Sequence, residues 1–109
     1  MKIKTIEDGN SWTVTAPPSK SFMNRALVVA ALAKGTSRLR NPIFCDDTKY
    51  MINALKAFGV QIENSKSEVI VHGTGGEFKA PRKPIFTGNA GTAFRFLVSL
   101  AVLCREKVT

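Results

Sequence analysis

The chain has 109 residues, 44% hydrophobic and 22% charged, with a formal charge of +8 and a pI near 9.9. That balance fits one small globular domain, and with no apolar run reaching the roughly 18 residues of a bilayer span and no signal-peptide pattern, a membrane or secreted reading is set aside. The positive excess is diffuse: eight Lys/Arg stand against four Asp/Glu in residues 1–50, and eight against four in 51–109. With no polybasic tail and no RNA-binding aromatic signature, such a field suits small anionic metabolites better than nucleic acid. Cys45 and Cys104 lack CxxC spacing and His72 has no neighbouring ligand pair, so reduced cytoplasmic thiols and no metal site are expected.

In chain order, Ser11-Trp12-Thr13-Val14-Thr15 alternates apolar and polar side chains and predicts a short half-buried strand, which Pro17-Pro18 ends as a stiff joint. A helix follows from Ser19 or Ser21 to about Ala33, stopped at Lys34-Gly35. Its start crowds Lys20, Ser21, Asn24 and Arg25 together, because residues four apart share a face. Unpaired N–H groups and the positive helix end make this a small-anion site. The stretch behind it, with Leu27, Val28, Val29 and Leu32, is apolar enough to be buried on most sides.

Thr36–Arg40 predicts a strand, and Cys45-Asp46-Asp47-Thr48 opens a second helix with the apolar stripe Met51, Ala54, Leu55, Phe58 and the stop Gly59. Residues 60–62 and Glu68–His72 predict a hairpin around a polar turn, Gly73–Gly76 a turn, and Pro84-Ile85-Phe86 a short strand. Then Gly88-Asn89-Ala90-Gly91-Thr92-Ala93-Phe94-Arg95 feeds an apolar helix over Phe96–Leu103. Glycines let backbone N–H groups approach an anion, Asn89 can donate or accept, and Thr92 can cap the helix. Arg25 and Arg95, seventy positions apart, each stand between small polar residues and an aliphatic run, which implies a repeated βαβαββ module.

These residues, Pro18-Ser19-Lys20-Ser21 with Asn24-Arg25-Ala26-Leu27, then Asp46-Asp47, then Gly88–Ala93 with Arg95, resemble the 5-enolpyruvylshikimate-3-phosphate synthase family from about Trp12 to Leu103. The resemblance implies an α/β (α+β) fold of repeated βαβαββ units, the inside-out α/β barrel of enolpyruvyl transferases, with part of one domain present. Residues 1–17 would be an N-terminal strand and hinge belonging with the other domain, and 18–109 the first part of the substrate-binding N-terminal domain.

The activity implied is transfer of the enolpyruvyl group of phosphoenolpyruvate to the 5-hydroxyl of shikimate 3-phosphate with release of phosphate, in the cytoplasm. No metal or organic cofactor, nucleic acid or membrane is implied; the partner is the remainder of the enzyme. By position, Ser21 and Arg25 resemble residues holding shikimate 3-phosphate, Lys20 the lysine touching both substrates, and Asn89, Gly91 and Thr92 the loop at the phosphoenolpyruvate phosphate, where glyphosate also sits. Asp47 matches an acidic family position near the cleft but is read first as a helix cap, and Arg95 is read as a structural contact. Pro18 departs from the family's usual glycine, and Phe96 from a proline in some members. No catalytic acid/base group is expected in the chain, so the isolated piece is expected to be inactive. The rivals are the sister transferase acting on a UDP-linked amino sugar, a noncatalytic basic βα module that binds nucleic acid or protein with steep salt dependence, and a purely structural piece with no ligand affinity.

Overall fold

The computed structural model describes residues 13–109 together with Gly9 and Ser11. Among the described residues the elements run α1 (Lys20–Leu32), β1 (Lys34–Arg40), α2 (Asp46–Ala57), β2 (Gln61–Asn64), β3 (Glu68–Thr74) and α3 (Gly91–Ala101). The expected strand over 11–15 is not formed at Ser11 and Thr13–Thr15, where Val14 is 85% exposed, and Trp12 lies outside the described residues. Nothing described pairs with that edge, so the alternating pattern has no sheet to join.

Helix α1 begins where Ser19 accepts the Phe22 N–H on its Oγ at 3.3 Å. It ends at Ala33, whose backbone is already extended, and β1 starts at the next residue. Gly35 has a positive φ of 87° but lies inside β1, so it is not the helix stop the sequence predicted. The end of α1 is instead satisfied from β3 and the turn after it: Thr74 Oγ1–H donates to the Ala31 carbonyl at 3.1 Å, and Gly75 N–H to that of Ala33 at 2.9 Å. Gly73 makes this approach possible, since a Cβ there would stand 2.0 Å from the Ala33 oxygen. Gly73 is thus a strand residue pressed on a helix, where a turn was expected.

Thr48 holds the start of α2 by accepting the Cys45 N–H at 3.0 Å and donating to the Ile43 carbonyl at 2.8 Å. A Schellman close ends it: Val60 N–H reaches the Leu55 carbonyl and Gly59 N–H that of Lys56, both at 3.0 Å, with Gly59 at φ 90°. The three strands form an antiparallel sheet in the order β1-β3-β2, with Lys34 opposite Thr74 and Gln61 opposite His72. Val69 and Val71 of β3 face inward at successive odd positions, as the period of two requires, and meet Leu27, Met51, Leu55 and Phe58 in the core.

This is the αβαββ portion of the expected module followed by the helix of a second one. Residues 84–86 form no strand, and α3 starts five residues earlier than predicted and ends at Ala101. Two exposed apolar stripes also depart from expectation. Phe22 and Val29 on α1 are 75% and 66% exposed, and Phe94 and Val98 on α3 are 56% and 52% exposed. Leu32 is exposed as well, so α1 is buried on one broad side and not all round.

Candidate functional site

Two helix starts carry the sequence-predicted residues. On α1, the Arg25 guanidinium donates to Ser21 Oγ at 2.6 Å, the i to i+4 contact expected of a helix. Lys20 reaches across to α2, its Nζ 3.0 Å from Asp47 Oδ2. Lys20, Ser21 and Arg25 therefore sit together at the junction of two helix N-termini, and both helix ends add partial positive charge. The hydrogen bond to Asp47, with its charge close behind, holds the Lys20 ammonium above its ordinary value of 10.5. Lys20 is thus a cation throughout the neutral range.

Asp47, read from sequence as a cap, is the second helical residue and the partner of Lys20. No sequence signal joins positions 27 apart; only the packing of α1 on α2 does. The pair is exposed on the lysine side, which leaves the ammonium open to a second anion.

The other start is built from backbone. Ala90 is the residue before α3, no side chain caps the helix, and Thr92 stands inside its first turn, so Thr92 is not the cap predicted for it. The Ala90 N–H donates to the Thr87 carbonyl at 3.1 Å and the Gly91 N–H to that of Asn89 at 3.0 Å, folding residues 87–91 into a tight turn. Gly88 takes φ 54° and lies so close to Tyr50 that a Cβ would stand 2.7 Å from Cε2 of the ring. This contact seats the start of α3 against the second turn of α2. A Cβ at Gly91 would meet nothing within 4 Å, so the space before α3 is open.

Asp47 and Tyr50 lie on the same half of α2, so one helix start anchors both groups of residues. Among the described residues no hydrogen bond or ion pair joins Lys20, Ser21 or Arg25 directly to Asn89, Gly91 or Thr92. Arg95, expected as a structural contact, is exposed and makes no ion pair among the described residues. Glu68 pairs with Arg38 at 3.3 Å, and Glu63 meets His72 Nε2 at 3.1 Å, so His72 lies within β3, half-buried and engaged in the sheet. Both cysteines are free thiols, and burial with the Glu106 charge behind it pushes Cys104 above 9.0. Among the described residues no helix is long and apolar enough to cross a membrane.

One polar side chain in this region is sealed. Asn24 is 1% exposed, and neither its Oδ1 nor its Nδ2 has a hydrogen-bond partner among the described residues. An unmade buried hydrogen bond costs about 1–3 kcal/mol. Thr48, the other buried polar residue among the described residues, is fully engaged.

The sequence profile of the family described as EPSP synthase (3-phosphoshikimate 1-carboxyvinyltransferase) matches residues 6–109. The chain is 42% identical over 107 residues to the 3-phosphoshikimate 1-carboxyvinyltransferase of Methanothermobacter thermautotrophicus, covering 97% of this chain and 25% of that protein. It is 51% identical over 87 residues to the enzyme of the same name from Rhizobium leguminosarum bv. trifolii, covering 80% and 21%. It is also 45% identical over 105 residues to the pentafunctional AROM polypeptide of Kluyveromyces lactis, covering 93% and 7%. Among solved structures, EPSP synthase from Acinetobacter baumannii superposes with a TM-score of 0.75 at 32% identity, over 81% of this chain and 20% of that one. The chain thus spans a quarter or less of the length of these relatives.

Proposed function

This chain belongs to the EPSP synthase family, and from that premise we propose that it carries part of the substrate site of an enzyme that moves the enolpyruvyl group of phosphoenolpyruvate to the 5-hydroxyl of shikimate 3-phosphate. The observation that carries the reading is the junction of α1 and α2, where the Lys20 ammonium and the Ser21–Arg25 pair stand at two converging helix starts. Ser21 and Arg25 hold shikimate 3-phosphate, since a hydroxyl and a guanidinium already in contact present a planar fork and a donor to one phosphate. Lys20, steered by Asp47, lies between the two substrates. Asn89 and Thr92 receive the phosphoenolpyruvate phosphate on backbone and side-chain donors at the start of α3, and Gly91, with no Cβ, leaves the space for it open.

The remaining groups belong to the rest of a longer protein. Residues 1–17 pair with its other domain, and 18–109 begin its N-terminal domain, a division supported by the exposed Val14 and by the apolar stripes on α1 and α3. Protein beyond this chain supplies the acid/base pair and covers those stripes, and the free thiols suit the cytoplasm. The test is phosphate release by the full-length protein given shikimate 3-phosphate and phosphoenolpyruvate. Turnover that is lost in Lys20→Ala supports the reading. Turnover with a UDP-linked amino sugar instead, or affinity only for nucleic acid, overturns it.

A further inference from the structure

We propose that Asn24 is a positioning residue of the α1 anion cluster: its amide grips one buried water at the base of the first turn and so fixes the placing of Ser21 and Arg25. The inference rests on the substrate-site reading above. Asn24 lies between those two residues in sequence and one helical turn after Lys20. Helical side chains lean toward the N-terminus, so its amide is directed back under the turn that bears Lys20 and Ser21. Its neighbours Met23, Leu27 and Val28 are buried and apolar, and a leucine at 24 would suit that company without leaving polar atoms unpaired.

A sealed amide therefore runs against the local rule for a core, and such departures concentrate where a site needs them. The chemistry of the amide names its partner. Oδ1 needs a donor and Nδ2 an acceptor, so a single small partner able to serve both is one that gives and takes hydrogen bonds, as water does, whereas an ionised phosphate oxygen could only accept. A water held there adds stiffness to the turn whose side chains grasp the ligand.

The test uses the full-length protein, with Asn24→Leu, Asn24→Ser and, in parallel, Lys20→Ala. Urea midpoints and shikimate 3-phosphate affinities are measured for each, together with a crystal structure of the wild type. We expect Asn24→Leu to unfold at the wild-type midpoint or above it, yet to bind on the order of tenfold more weakly, with Asn24→Ser recovering part of the loss. The crystal structure should place a water within hydrogen-bond distance of both amide atoms. Wild-type affinity in Asn24→Leu, a fall in its stability alongside its affinity, or a dry amide overturns the proposal. Lys20→Ala separates the two readings: if it too binds normally, the substrate-site assignment fails, whereas a weakened Lys20→Ala beside a normal Asn24→Leu removes only the role of Asn24.

Discussion

The starts of α1 and α3, the two halves of the proposed site, are built in different ways. At α1 the groups proposed to face an anion are side chains on a helix locked at both ends, by Ser19 before it and by Gly73, Thr74 and Gly75 behind it. At α3 they are backbone donors, preceded by the irregular segment 75–90 and seated through one close contact, Gly88 on Tyr50. A side-chain site gives charge and direction, and its failure modes are truncation and loosening of the helix. A backbone site gives close approach, and its failure mode is crowding.

The largest expected effect breaks the α1 half. In the full-length protein, Lys20→Ala and Arg25→Ala should each weaken shikimate 3-phosphate binding by about 10- to 100-fold, the worth of one charge-assisted hydrogen bond of about 1.5–3 kcal/mol. Titration calorimetry checks this, and equal affinity in both variants would remove them from the site. The next breaks the lock on α1 without touching a ligand. Gly73→Ala puts a Cβ 2.0 Å from the Ala33 oxygen, so backbone must shift. It should lower stability by about 1–3 kcal/mol in urea unfolding.

Gly91→Ala sharpens the contrast from the other side. Its Cβ enters open space, so the fold should be untouched or slightly more stable, while phosphoenolpyruvate binds about tenfold more weakly or worse because a methyl group stands in its place. A melting curve and an affinity measurement together decide it. The smallest effect is on pH dependence. Lys20 is raised from 10.5, first by its hydrogen bond to Asp47 and then by the charge, so its contribution is complete below that value and is lost only as pH rises past it. Affinity attributable to Lys20, taken as wild type against Lys20→Ala, should therefore be flat from about pH 7.5 to 9, above the second ionisation of a phosphate monoester; a decline within that range would contradict the assignment.

Much of this was legible in the chain because local chemistry decided it. Gly59 closes α2 as its position after Phe58 predicts, the 61–64/68–74 hairpin follows from alternation around a polar turn, and Ser21 meets Arg25 because they are four apart. What sequence missed depends on packing between distant segments. Asp47 looked like a cap because nothing in its neighbours mentions Lys20. Gly73 looked like a turn residue because the carbonyl it must clear belongs to Ala33. Gly35 looked like a helix stop, yet the strand that receives the end of α1 takes over that role. Val29 and Leu32 were expected inside because composition shows that a face is apolar without showing what covers it. Thr13–Thr15 and Pro84–Phe86 carry strand-like residues and form no strand, since pairing needs a neighbour that local sequence cannot supply.

The most direct test is a crystal structure of the full-length protein with shikimate 3-phosphate and phosphoenolpyruvate or an unreactive analogue bound. The account predicts the shikimate phosphate on Ser21 Oγ and the Arg25 guanidinium, the second phosphate against Asn89–Thr92, and Lys20 Nζ within reach of both ligands. Ligands seated elsewhere, with Lys20 still held only by Asp47 and the Ser21–Arg25 pair untouched, would contradict it.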